Sequence, residues 1–314
     1  MRVLITGLTG QDGHYLLERL GAQDAEIHGL VRPGPGEESA RAEAAQRATL
    51  HEADLGDLSR VEAVVKDIVP HLVFNLAGLS SVGQSWAAPA RTGLVTGVGA
   101  VALLEATMAA NADARFVQCS SAEIFGDAPE SPQTEQTPLA PVSPYGAAKA
   151  FAHTVVQGYR ARGAFASSCI LYSHESPRRA RTFVTRKITS TVAAIARGEA
   201  DELVMGNVDA RRDWGWAPDY VDAMVRAAAH HTANDYVIAT GVAHSVQDFI
   251  DAAFDAAGVP AERRRVRTDT SELRPHDPSE QRGDATRART ELGWQPTMSF
   301  EDIVGAMVEH DLRG

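Results

Sequence analysis

Short runs of aliphatic and β-branched residues recur through the first half of the chain, and several are followed by segments with apolar residues three and four apart. Residues 2–6 predict a first strand, and Tyr15, Leu16, Leu17 and Leu20 then fall on one side of a helix. Residues 26–31 predict a second strand and residues 50–55 a third. Val61, Val64, Val65 and Ile68 mark the next helix, with Ser59 as its expected N-cap. Residues 71–77 are apolar almost without interruption, as suits a strand covered on both faces. Residues 115–120 and 165–172 predict the fifth and sixth strands. Strands alternating with helices imply an α/β, doubly wound, Rossmann-type parallel sheet. Residues 98–108 and 147–156 are apolar on nearly all sides, so both faces should be covered: one by the sheet, the other by a second subunit or a covering domain. The alternation breaks after Tyr172, although residues 235–240 again resemble a strand that can rejoin the sheet. The expected organisation is a first domain over 1–172, with about 213–240 returning to it, and a smaller C-terminal substrate-binding domain over most of 173–314.

Composition narrows the class. A hydrophobic content of 44% and a charged content of 23% over 314 residues suit a soluble globular protein. A formal net charge of -11 argues against nucleic acid or an anionic membrane as partner. No apolar run is expected to span a bilayer, and the N-terminus lacks a signal-peptide layout. Cys119 and Cys169 lie in strand-like runs and read as buried free thiols in a reducing, cytoplasmic compartment; a catalytic Cys119 is the weaker alternative. There is no metal-ligand spacing, and His230-His231 are adjacent rather than four apart. Local basic clusters at Arg178-Arg179, Arg186-Lys187, Arg211-Arg212 and Arg274 suggest an anion pocket.

The candidate chemistry sits at strand ends. Gly7, Gly10 and Gly13 follow the first strand and open a helix, which is the context for binding a dinucleotide diphosphate. The second strand ends at Arg32 rather than at a carboxylate, which suits the 2′-phosphate of NADP. Asp54 stands at the end of the third strand. Tyr145 and Lys149 are four apart on one helix face, and a neighbouring ammonium favours an ionised phenol able to take a substrate proton. Lysine occurs only at 66, 149 and 187, so one of three was kept at this spacing. Ser121 and Glu123 follow the fifth strand, beyond whose C-terminal end a ligand binds.

Taken together, the motifs resemble those of the GDP-mannose 4,6-dehydratases, within the extended short-chain dehydrogenase/reductase superfamily. The matching segments are Thr6 to Gly13, Ser143 to Lys149, His174 to Arg179, Phe183 to Thr189, Gly206 to Trp214, Tyr236 to Gly241 and Leu292 to Pro296, and the resemblance they mark extends over almost the whole chain. The resemblance implies an NADP-dependent enzyme that oxidises C4 of a nucleotide hexose, eliminates water across C5–C6 and returns hydride to C6. Ser121, Glu123, Tyr145 and Lys149 would be catalytic. Gly7, Gly10, Gln11, Asp12, Gly13, Arg32, Asp54, Leu55 and Ala77 would join Tyr145 and Lys149 around the cofactor. Ser80, Ser173, Val184, Lys187, Arg212 and Arg274 would meet a nucleotide-sugar, GDP-hexose being favoured.

The chain departs from the family at several points. Pro33-Gly34 replaces a basic, Ser-rich loop, which favours a homodimer over a tetramer. The stretch between Gly258 and Arg274 is shortened. Leu79-Ser80-Ser81 stands for Gln-Ser-His, Ser173 for Asn, Ala122 for Ser, and Trp216 for His. Ser120-Ser121-Ala122 is also similar to hexose epimerases. A 4-epimerase, a 5,6-dehydratase, a 4-ketosugar reductase and a non-enzymatic nucleotide sensor therefore stand as alternatives.

Overall fold

The computed structural model describes residues 1–21, 25–34, 38–270 and 276–314. The chain enters a sheet at once. β1 (Arg2–Thr6) leads through the glycine turn into α1 (Gln11–Leu20), then to β2 (Glu26–Val31), α2 (Glu38–Ala44) and β3 (Thr49–Glu52). α3 (Leu58–Ile68) crosses back to β4 (Leu72–Asn75). A long helix, α4 (Pro89–Ala110), leads to β5 (Arg115–Ser121), and α5 (Pro144–Ala161) to β6 (Phe165–Leu171). With a late strand, β10 (Asp235–Ile238), these form a seven-stranded, wholly parallel sheet in the order β10-β6-β5-β4-β1-β2-β3. The strand order reverses between β1 and β4, the switch point at which such sheets bind ligands.

Several predicted ends move, each for a local reason. β3 stops at Glu52 because the chain turns at Asp54, whose carboxylate accepts the Gly56 amide at 2.7 Å. The N-cap of α3 is Asp57, which accepts Arg60 N–H at 3.1 Å; the expected cap, Ser59, lies inside the first turn. β4 ends at Asn75 and not at residue 77, because the Ala77 amide donates to the Thr6 hydroxyl at 3.0 Å instead of to a neighbouring strand. β10 ends at Ile238 because Thr240 N–H turns to the Asp213 carboxylate at 2.8 Å.

Both sheet faces are covered. On one, Leu16, Leu17 and Leu20 of α1 pack with Tyr220, Val221 and Met224. On the other, α3 and α4 bury Val61, Val65, Leu103 and Leu104 against Leu4, Val73 and Phe116. By length and composition alone α4 reaches membrane length, which the sequence reading did not expect: it has 22 residues, and an 18-residue window within it has a mean hydropathy of 1.6. It packs on α3 and α5, and that packing accounts for its apolar inner side. Its middle turns, Gly93–Val98, are π-wound, and Gly97 brings it close to α5: a Cβ there would lie 3.3 Å from the Ala148 carbonyl.

The second lobe is built on a smaller sheet. β7 (Ser173–Glu175) follows β6 directly, then α6 (Val184–Arg197), β8 (Leu203–Met205) and β9 (Arg211–Trp216). β9 is its centre, parallel to β7 and to a two-residue strand at Glu280–Gln281, and antiparallel to Ala243–Ser245. Residues 213–216 thus stand in the small sheet, while α7 (Ala217–Ala229) and β10 pack with the large one. The helix Val246–Ala256 and the last helix, Phe300–Arg313, join α6 around Ile188, Val192, Phe249 and Val304.

Candidate active site

The glycine turn is shaped by backbone crowding. Gly7 has φ +69°, and a Cβ there would stand 3.0 Å from the Ala77 nitrogen. At Gly13 a Cβ would lie 2.5 Å from the Leu8 carbonyl oxygen, so only glycine lets α1 sit this close to the turn. Gly10 is the N-cap and has no side chain to offer the first amides of α1. Uncapped amides at a helix start suit an anion such as a diphosphate.

A cleft of about 890 Å³ opens beside this turn, between the two lobes. Gly7, Gly10, Gln11, Asp12, Gly13, Arg32, Asp54, Leu55 and Ala77 line one part of it. Ser121, Glu123, Tyr145 and Lys149 line it too, as do Ser80, Ser173, Val184, Lys187 and Arg212. Arg274 lies outside the described residues.

At the Arg32 end both signs of charge are present. Glu52, the β3 neighbour of Val31, is a carboxylate, and Arg41 pairs with it at 2.7 Å. The same guanidinium donates to the Arg32 carbonyl. Asp54 is engaged by the Gly56 amide and by the Arg91 guanidinium.

The middle of the cleft rests on a buried polar row that the sequence reading did not find. The Ala77 amide donates to Thr6 Oγ1, and that hydroxyl donates to Asn75 Oδ1 at 2.7 Å. Asn75 Nδ2 donates to Gln118 Oε1 at 2.8 Å, and Gln118 Nε2 to the Cys119 carbonyl at 3.0 Å. Lys149 Nζ donates to that same carbonyl at 2.6 Å. Thr6, Asn75 and Gln118 are all buried, and every member of the row has a partner, so it holds its geometry firmly. The available signal was a polar residue at or near the end of each central apolar strand.

The row presents Lys149 to Tyr145, whose ring centroid lies 5.8 Å from Nζ. Ser143 caps α5 by accepting the Gly146 amide at 3.0 Å, and Pro144 occupies the first turn. Gly146 brings α5 against the turn that follows β5: a Cβ there would lie 2.5 Å from the Glu123 carbonyl oxygen. Ser121 Oγ accepts the Glu123 amide at 3.3 Å. Phenol, ammonium, hydroxyl and carboxylate thus line one cleft. Cys119 contributes its carbonyl to this arrangement, while burial pushes its thiol well above the ordinary range. Burial likewise pushes Cys169 to about 12, and both cysteines are free.

Many of the expected basic clusters are matched by carboxylates. Arg178 pairs with Glu43 at 3.0 Å, Arg179 with Glu175 at 3.3 Å, Arg211 with Glu280 at 3.2 Å and Arg212 with Asp277 at 2.6 Å. Three cations of the cleft lining, Arg178, Arg179 and Arg212, are therefore held in place by acidic partners, which also lowers their net field.

Comparison with known proteins identifies the family and the fold. The family model described as GDP-mannose 4,6 dehydratase matches residues 4–307. GDP-mannose 4,6 dehydratase 1 of Arabidopsis thaliana is 40% identical, over 98% of this chain and 89% of its own. The Sinorhizobium fredii GDP-mannose 4,6-dehydratase is 39% identical over 98% and 96%, and the Homo sapiens one 37% over 98% and 91%. Among solved structures, a Thermotoga maritima UDP-glucose 4-epimerase with UDP-glucose superposes at a TM-score of 0.86 and 24% identity, covering 99% of this chain and 98% of that one. RMD from Pseudomonas aeruginosa complexed with NADPH gives 0.82 and 24%, covering 99% of both. These two share the fold.

Proposed function

The chain belongs to the GDP-mannose 4,6 dehydratase family, and from that premise we propose that it converts GDP-mannose to GDP-4-keto-6-deoxymannose with NADP as its resident cofactor. The observation that carries the reading is Glu123 in the same cleft as Tyr145 and Lys149, on a turn that α5 packs against at Gly146. A hexose C5 hydrogen is not acidic until C4 is a ketone, so the reaction needs one group for the C4 hydroxyl proton and another for C5.

The residues divide that work. Tyr145 takes the C4 hydroxyl proton as C4 becomes a ketone, and the Ser121 hydroxyl holds the C4 oxygen. Glu123 removes the C5 proton and passes it to the C6 hydroxyl, which leaves as water; when hydride returns to C6, C5 takes up one proton from the site or solvent, which balances the one Tyr145 removed and then releases. The dinucleotide, when bound, supplies reversible hydride transfer, so substrate and product differ by one water with no net redox change. Lys149 orients Tyr145 from its anchor on the Cys119 carbonyl. The uncapped start of α1 suits the diphosphate, and Gly7, Gly10, Gln11 and Gly13 would lie along it. Arg32, with Arg41 matching the nearby Glu52, favours a 2′-phosphate and hence NADP over NAD. Lys187, Arg212 and Arg274 would serve the nucleotide-sugar, with Ser80, Ser173 and Val184 around its path.

The same reading includes assembly and compartment. Trp86, Leu94, Val98 and Phe151 are exposed apolar side chains on α4, α5 and the turn before them. A patch of this kind suits burial in a homodimer. Two buried free thiols suit a reducing cytoplasm.

Incubation with a panel of nucleotide hexoses tests the assignment. Loss of one water from GDP-mannose, with NADPH absorbance unchanged at the end, supports it. Unchanged mass with altered stereochemistry identifies an epimerase instead, and a gain of two hydrogens a reductase.

A further inference from the structure

Glu123 is touched from the opposite lobe. Gln281 Nε2 lies 3.4 Å from Glu123 Oε1, across 158 positions of sequence, and both side chains are buried on the cleft wall. The contact is long for a hydrogen bond, but the backbone that carries Gln281 is tightly fixed. Glu280–Gln281 pairs in parallel with Arg211 and Arg212. The loop that leaves Glu123 grips the same segment on its other side. Gln133 N–H donates to the Arg282 carbonyl at 2.8 Å, and Asp284 N–H to the Gln133 carbonyl at 2.8 Å. Ser131 Oγ donates to Glu280 Oε1 at 2.7 Å, and Tyr172 holds Gln133 Oε1 at 2.7 Å. The Cα of Gln281 therefore cannot shift away from Glu123 without breaking a strand pairing.

We propose that Gln281 is a positioning residue for Glu123: its amide donates to the carboxylate, turns it toward the cleft and favours the ionised form a base must have. The inference rests on the dehydratase reading of Glu123. An ionised carboxylate accepts hydrogen bonds only, so the nitrogen end of the amide is the end that must face it. Donation to the charged form lowers the proton affinity of a carboxylate. Such contacts shorten when substrate closes the site. The consequence reaches past one residue: the base for C5 is held partly by the small lobe, while Tyr145 and Lys149 are held by the large sheet.

The test uses full-length protein with bound NADP and GDP-mannose in deuterated water. Turnover, its pH profile and deuterium incorporation at C5 are measured for wild type, Gln281→Leu and Gln281→Glu. Losing one donor to a charged acceptor is worth about tenfold or somewhat more. Gln281→Leu should therefore lower kcat by about tenfold and move its acid limb up by about one pH unit, with KM nearly unchanged. Gln281→Glu places a second carboxylate beside Glu123 and should move the limb further in the same direction. The single-turnover cofactor reduction that reports C4 oxidation should stay at the wild-type rate in both. Melting temperature with NADP checks the fold, and Gln281→Asn, too short to reach, supplies the same measurements if the leucine variant does not fold. An unmoved acid limb with unchanged kcat overturns the inference, as does a rise in KM alone, which would make Gln281 a substrate contact. Absence of C5 exchange in the wild type overturns the dehydratase reading and this inference together; wild-type exchange with unaltered variants overturns the inference alone.

Discussion

His174 Nε2 lies 3.0 and 3.1 Å from the two carboxylate oxygens of Asp12, while its Nδ1 lies 2.7 Å from the Tyr172 carbonyl. An ionised carboxylate and a carbonyl both only accept, so both ring nitrogens carry protons and the ring is an imidazolium. It stacks on Tyr220 at 4.6 Å. Gln11 extends the clasp, donating to the His174 carbonyl at 3.1 Å and accepting from Ser176 at 2.8 Å. The glycine turn is thereby fastened to the first strand of the small lobe.

This pair makes stability depend on pH in a defined window. Burial alone would push Asp12 up and His174 down, but their mutual charge and hydrogen bond outweigh it, leaving Asp12 below its ordinary 3.8 and His174 above its ordinary 6.5. The Asp12 contribution is present above 3.8 and is lost as pH falls through its lowered value. The His174 contribution is present below 6.5 and is lost as pH rises through its raised value. Removing one partner of a buried pair costs about 3 kcal/mol. Melting curves from pH 4 to 9 should show His174→Gln losing several degrees near neutrality, with the gap to wild type narrowing at high pH. A constant gap across the range would rule out the charged clasp.

Glu123→Gln removes the proposed C5 base and keeps its size. Turnover should fall by about 10²–10⁴-fold, while single-turnover cofactor reduction on adding substrate persists, because C4 oxidation uses Tyr145. Full turnover with unaltered C5 exchange in this variant would transfer the base to another group.

Arg32→Ala should weaken NADP binding by about tenfold or more, the usual worth of a charge-assisted hydrogen bond, and leave NAD nearly unaffected. Titration calorimetry with each dinucleotide reads the ratio directly. An unchanged ratio would move the 2′-phosphate contact elsewhere.

Val98→Asp and Phe151→Asp place charges on the exposed patch of α4 and α5. Light scattering at micromolar concentration should give a dimer for the wild type and a monomer for the double variant. A wild-type monomer would remove the assembly proposal, and a stable tetramer would replace it.

The sheet was legible in sequence because its strands are short, predominantly apolar runs separated by amphipathic segments, as at Leu72–Asn75 and Phe165–Leu171. The cleft was legible where chemistry comes in short local spacings: Gly7 to Gly13, and Tyr145 with Lys149. What escaped were relationships between distant positions. Asn75 looks like the end of a strand until Gln118 and Thr6 stand beside it. Gln281 lies in a two-residue strand with no periodicity to reveal it. The boundary of α3 slipped because Asp57 and Ser59 are both good caps, and only the position of the first turn decides between them. Pairing of the basic clusters was likewise hidden, since the partner carboxylates, as in Arg212 with Asp277, can lie far along the chain.

The polar row from Thr6 through Asn75 and Gln118 to Lys149 is in effect a ruler laid across the sheet. It spans β1, β4 and β5, two steps of about 4.8 Å each, and its length is fixed by strand spacing rather than by any loop. The distance from glycine turn to ammonium is therefore independent of what the small lobe recognises. A chimera that keeps these strand ends and exchanges the small-lobe segments for those of a relative keeps the Lys149 anchor, while the Gln281 contact to Glu123 and the His174 contact to Asp12 have to be carried over with the new lobe.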